Sequence, residues 1–216
     1  MSNLTEIKQI IEYGRRLYGR GFIAGKDGNL SIRLADGNIL ITAAGCSKGF
    51  LEEKDLVIID PEGNWISGRG KPSSETAMHL FVYKSRPEIK GCCHAHPPYS
   101  TAYSITGKTL PSDILPEVVV GVGAIAFAEY APPGTEAVPR SLEKFIAAND
   151  AFILRNHGVL TIAPTLEIAY NRMETVEHYA GIIYIAQNIG PLNSLETSEL
   201  NRLKKIKESW DRNGKE

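Results

Sequence analysis

The segment Glu88-Ile-Lys-Gly-Cys-Cys-His94-Ala-His96-Pro97-Pro98 restricts the fold of this chain more than any other. Its small apolar residues, closed by two prolines, predict a short buried strand over 88–94. Side chains two apart on a strand share a face. His94 and His96 therefore project together from the strand's end, where a catalytic group can sit. Cys92 and Cys93 alternate faces just before them and read as buried small residues.

The rest of the sequence supplies the layers such a strand needs. An amphipathic helix is expected over 5–20, and two strands over 30–34 and 38–42 flank the turn signal Asp36-Gly37. A third strand spans 56–60. A helix entered through Pro72-Ser73-Ser74 runs to about Lys84, and a short helix follows Pro97-Pro98 to Ile105. Residues 115–127 read as a strand interrupted by glycine, followed by a helix over 136–148. Strands over 151–155 and 159–163 flank Asn156-His157-Gly158. A long helix spans 165–189 and a last, outwardly polar one 195–210. This alternation predicts one α/β domain over residues 1–216.

Charge and cysteine usage exclude several functions. Lys plus Arg number 24 against 25 Asp plus Glu, so no basic excess points to nucleic acid or an acidic membrane surface. No apolar run approaches a membrane span, and the start Met-Ser-Asn-Leu-Thr-Glu lacks a signal-peptide core. Three cysteines, two of them adjacent, make no disulfide framework, so a reducing cytoplasm is expected.

Two imidazoles on one strand face need a third ligand to hold zinc with one open position. His157, in the turn Arg155-Asn-His-Gly158, is the best candidate, because Gly158 lets the backbone come close. The bland alternative is three ordinary polar histidines. Ser73-Ser74-Glu75 offers two hydroxyls at a helix N-terminus, which suits plain capping first and an anion site second. The segments Gly28-Asn29-Leu30-Ser31 and Thr42-Ala-Ala-Gly45-Cys-Ser47-Lys48 are further phosphate candidates that also read as turns. Glu75 could ligate a metal and move protons when displaced. His79, one helical turn on, reads as a buried supporting group, and Glu177 and His178 read as structural.

Together, Gly28-Asn29-x-Ser31, Thr42-x-x-Gly45, Lys71-Pro-Ser-Ser-Glu75, His94-x-His96 and Asn156-His157-Gly158 resemble the class II aldolase/adducin family, over about residues 5–190. The resemblance implies a three-layer α/β/α domain around a mixed, largely antiparallel sheet, and a homotetramer with active sites at subunit interfaces. It implies one Zn2+ per subunit on His94, His96 and His157, with Glu75 as resting ligand and acid–base group. Asn29, Gly45, Ser73 and Ser74 are implied to hold a substrate phosphate. The nearest pattern is that of aldolases that cleave a (deoxy)ketose 1-phosphate such as L-fuculose 1-phosphate through a metal-stabilised enediolate. Their products are dihydroxyacetone phosphate and L-lactaldehyde.

The sequence departs from that pattern at two points. Ala44 stands where a phosphate-binding hydroxyl is usual, with Ser47 or Lys48 nearby to compensate. Leu115 and Trp210 occupy positions where tyrosines are expected. Glu117 falls about where other family members carry an acidic proton shuttle; its alternative is a solvated loop glutamate. A 5-deoxyribulose-1-phosphate aldolase, a 3-oxo-tetronate 4-phosphate decarboxylase, an L-ribulose-5-phosphate 4-epimerase and a methylthioribulose-1-phosphate dehydratase are the enzymatic alternatives. A non-enzymatic adducin-head-like interaction module lacks the metal histidines that are intact here.

Overall fold

A computed structural model describes residues 3–213. Eight strands form one sheet: β1 (Asn29–Arg33), β2 (Ile39–Thr42), β3 (Leu56–Ile59), β4 (Trp65–Gly68), β5 (Gly91–Ala95), β6 (Ile125–Ala128), β7 (Ala151–Leu154) and β8 (Gly158–Ala163). Their order is β4-β3-β2-β1-β5-β8-β7-β6. Only the β6–β7 pairing is parallel, so the sheet is mixed and largely antiparallel, as expected.

Strand alternation builds two cores. One face of the sheet carries Leu30, Ile32, Leu40, Cys93, Ala95 and Val159 and packs against α1 (Leu4–Gly19) and α6 (Leu166–Ile189). The other carries Ile39, Ile41, Val57, Cys92, Leu160 and Ile162 and packs against α2 (Thr76–Ser85) and α5 (Ala137–Leu142). The result is the three-layer α/β/α arrangement. Cys92 and Cys93 fall on opposite faces, both buried, as their adjacency on a strand requires. Burial raises both thiols, Cys92 to about 12, so they are neutral filler. The remaining helices are α3 (Pro98–Thr106), α4 (Pro116–Gly121) and α7 (Thr197–Asn213).

Three local expectations fail. Residues 115–127 are not one strand: Pro116 starts α4, and β6 begins only at Ile125. Val118, Val119 and Val120 favour a strand locally, but burying Val119 and Val120 against Leu203 of α7 wins. The helix expected over 136–148 is the short α5, followed by turns. Strand β4, an exposed edge strand, was not expected at all. No helix among the described residues is long and apolar enough to cross a membrane.

Candidate active site

The site forms where β5 ends and β1 and β8 begin, beside the start of α2. β5 carries His94, fully buried, and His96 follows immediately, its N–H held by the Phe22 carbonyl at 2.9 Å. The β7–β8 turn supplies His157. Asn156 takes φ 54° there, a left-handed conformation that Asn tolerates better than most residues. Gly158 is obligatory: a Cβ on it would lie 2.5 Å from both the Ala95 carbonyl oxygen and His96 Cδ2. Gly28, at φ +69°, lets the loop before β1 pack on the His94 carbonyl, which a Cβ would meet at 2.7 Å.

The three rings converge with centroids 4.8–5.0 Å apart. One ligand atom from each lies within 4.8 Å of the others, a group able to hold a metal ion. His94 Nδ1 donates to the Val159 carbonyl at 2.8 Å, which leaves Nε2 aimed inward. His96 Nε2 is 3.1 Å from it, two imidazole nitrogens facing one another. Glu75 closes the fourth side, with Oε2 3.1 Å from His94 Nε2 and Oε1 3.2 Å from His157 Nε2. Glu75 Oε1 is buried yet accepts no hydrogen bond among the described residues. Converging imidazole nitrogens around such a carboxylate are a donor set for a cation, and one carboxylate plus three histidines suits a borderline metal such as zinc.

The electrostatics agree. Burial works to raise the Glu75 carboxyl, but His94, then His157 and the Asn29 amide, outweigh it and hold it far below the usual range. Burial opposes charge on His94, yet Glu75 raises it above its ordinary value. Burial, reinforced by His94, pushes His96 and His157 down to about 4, so both are neutral, ligand-competent rings at neutral pH.

Backbone pairing joins the segments that carry part of the candidate phosphate set. Ala43 bridges to Pro72, Ala44 N–H donates to the Lys71 carbonyl, and Ser73 N–H donates to the Thr42 carbonyl. This lays residues 42–44 antiparallel to residues 71–73, so Ser73 sits beside Thr42, while Asn29 reaches the start of α2 through its bond to Glu75. Ser73 Oγ accepts from Glu75 N–H at 3.3 Å, a local turn ahead of α2, whose N-cap Glu75 has no side-chain cap. Lys48 is buried, its ammonium donating to the Lys26 and Cys46 carbonyls at 2.7 and 2.9 Å.

Glu117 is not brought to the histidines within one chain. It is exposed in the first turn of α4 and lines a cavity of about 760 Å³ with Tyr99, Glu177 and His178. Glu177 is structural as expected: its carboxylate accepts from Tyr99 N–H, Ser100 N–H and Ser100 Oγ, capping α3. His178 is exposed on α6, and Trp210 is exposed on α7. Asp27, whose carboxylate lies 3.6 Å from His96 Nδ1, was missed. A carboxylate behind a ligand histidine fixes its tautomer, but in Lys26-Asp27-Gly28 it looks like any turn acid.

Comparison with known proteins agrees with this geometry. Residues 8–184 match the class II aldolase and adducin N-terminal domain family, and the chain belongs to that family. It is an enzyme of the aldehyde-lyase kind. It is 37% identical over 185 residues to an L-fuculose phosphate aldolase of Methanococcus maripaludis, covering 85% of this chain and 99% of that one. It is 34% identical over 206 residues to a 3-oxo-tetronate 4-phosphate decarboxylase of Haemophilus influenzae, covering 93% and 98%. A solved L-fuculose 1-phosphate aldolase superposes with a TM-score of 0.88 at 31% identity, covering 95% of this chain and 97% of that one.

Proposed function

We propose that this chain is a zinc-dependent aldolase that cleaves a ketose 1-phosphate, with L-fuculose 1-phosphate as the representative substrate. The observation that carries this is the Glu75 carboxylate, within 3.2 Å of two of three converging imidazoles and buried beside them. It is both a ligand that substrate oxygens can displace and a base poised at the carbon that must change protonation.

His94, His96 and His157, with Glu75 at rest, would hold the metal. Three neutral imidazoles leave its positive charge undiminished, and bound there it supplies a Lewis acid for a developing oxyanion. Cleaving the C3–C4 bond of the ketose phosphate leaves an enediolate on the dihydroxyacetone phosphate half. The proton released by the C4 hydroxyl is relayed to the Glu75 carboxylate, which delivers a proton to that carbon and in the synthetic direction removes it. Asn29, Gly45, Ser73 and Ser74 bind the phosphate, with the Lys48 charge close by. Binding energy from this remote group orients the reacting carbons. Glu117 handles the proton of the C4 hydroxyl from across a subunit boundary in a homotetramer, because its own chain holds it away from the histidines. Free cysteines 46, 92 and 93 support a reducing, cytoplasmic setting.

A second reading, decarboxylation of a 3-oxo-tetronate 4-phosphate, has a specific support: the Haemophilus relative matches over 93% of this chain, against 85% for the Methanococcus aldolase. Incubation with L-fuculose 1-phosphate separates the two. Dihydroxyacetone phosphate released by metal-loaded protein and abolished by chelation supports the aldolase. Release of CO2 from the oxo-tetronate phosphate, with the ketose phosphate untouched, replaces it with the decarboxylase.

A further inference from the structure

Beneath the site, the same sheet face and α2 carry a line of buried polar groups, of which the reaction above uses only Glu75 and Asn29. Asn29 and Ser31 lie two apart on β1, directly opposite His94 and Cys92 of β5. Glu75, His79 and Tyr83 lie four apart at the start and along the inner face of α2. The two rows interlock. Asn29 Nδ2 donates to Glu75 Oε2 at 2.8 Å. Asn29 Oδ1 is 2.5 Å from His79 Nε2, His79 Nδ1 is 2.6 Å from Ser31 Oγ, and Ser31 Oγ is 2.7 Å from the Tyr83 hydroxyl. All five side chains are buried, Ser31 and His79 completely.

Donor and acceptor chemistry gives this line one direction. Asn29 Nδ2 donates to the Glu75 carboxylate, so the amide nitrogen faces the site. The Asn29 oxygen then faces His79 Nε2, which must carry the ring's hydrogen. Burial lowers His79 to about 3, so the ring is neutral and Nδ1 has a lone pair. Ser31 donates to that lone pair, and Tyr83 donates to Ser31. The Asn29 amide has two N–H groups: Glu75 takes one, and the other has no acceptor among the described residues.

We propose that His79, set by Ser31 and Tyr83, is a positioning residue that locks the Asn29 amide with both N–H groups toward the site, one on Glu75 and one on the anionic group of the substrate. With a flipped amide, an oxygen would confront both Glu75 and a phosphate. The inference rests on the sugar-phosphate reading for its ligand, but not on the aldol reaction itself.

The test is a double-mutant cycle read by calorimetric binding of inorganic phosphate to metal-loaded protein. Asn29→Ala is expected to weaken binding about tenfold, and Ser31→Ala about threefold to tenfold by freeing the His79 ring. In the Asn29→Ala background, Ser31→Ala is expected to weaken it no further, because nothing remains to be oriented. Tyr83→Phe, a milder change, gives a smaller effect of the same sign and stands in if Ser31→Ala does not fold. Equal binding by wild type and the Ser31 and Tyr83 variants, additive losses, or no phosphate binding by wild type would each overturn the proposal. If phosphate binding follows the cycle while wild type leaves ketose phosphates uncleaved, the aldolase reading fails and the orientation of Asn29 stands.

Discussion

Gly158 and His96 touch so closely that a single methyl group would collide: a Cβ on Gly158 would lie 2.5 Å from His96 Cδ2. Its other neighbour, the Ala95 carbonyl, is backbone and cannot swing aside. Gly158→Ala must therefore push β5 and β8 apart or rotate the imidazole. The expected outcome is a loss of about 1–3 kcal/mol in stability, as for other overpacked sites, and at least about tenfold weaker metal binding, as displaced ligands show. Metal content after dialysis and urea unfolding measure both. Wild-type metal affinity in a stably folded variant would show that His96 is not held by this contact.

The ligands and the acid–base group separate by substitution. His96→Ala removes one of three converging nitrogens, so metal and activity should be lost together. Glu75→Gln keeps an oxygen near the histidines but has no proton to give. Metal should stay largely bound, while turnover falls about 10²–10⁴-fold, the usual scale of general acid–base catalysis. Elemental analysis paired with steady-state rates checks this, and unchanged turnover in Glu75→Gln would remove the residue from proton transfer.

Glu117 offers a sharper test, since it is exposed within its own chain. A solvated surface glutamate changes little on substitution. If Glu117 completes a neighbour's site, Glu117→Gln should lower kcat by about 10²-fold or more with little change in KM. Mixing inactive Glu117→Gln with inactive Glu75→Gln subunits should then restore part of the activity. An unaltered kcat would return Glu117 to the surface.

His79 gives the fold a pH dependence whose sign follows from burial. Its folded value of about 3 lies below the unfolded value of about 6.5, so below that pH the unfolded chain binds the proton more readily. The stability His79 contributes is complete above pH 6.5 and is lost as pH falls toward 3. At pH 5 the loss is about 2 kcal/mol. Urea unfolding of wild type and His79→Gln at pH 7.5 and pH 5 should show the wild-type advantage shrinking at the lower pH. A gap that does not change would mean the ring is charged in the folded state.

Much of the site was legible because period-two and period-four spacing carry direct geometric meaning. His94-x-His96 and Asn29-x-Ser31 share one sheet face, and Glu75 and His79 share one helix face, whatever the rest of the chain does. The Asn156-His157-Gly158 turn was readable for a similar reason, a left-handed position followed by a close approach. What escaped depended on distant packing. The valines of α4 read as strand until α7 covers them, and Pro116 at the first helical position was the signal that outweighed them. Edge strand β4 buries little and so left little pattern. Ser31 and Tyr83 are 52 positions apart, and neither carries a mark of the other. Asp27 likewise gains its place behind His96 only from the fold.

The most direct measurement is proton NMR of dihydroxyacetone phosphate in D2O with the protein before and after metal removal. Stereospecific loss of one hydroxymethyl proton, present with metal, absent after chelation and absent in Glu75→Gln, is the expected result. No exchange above the protein-free background, in a folded and metal-loaded sample, would contradict enediolate formation at this site.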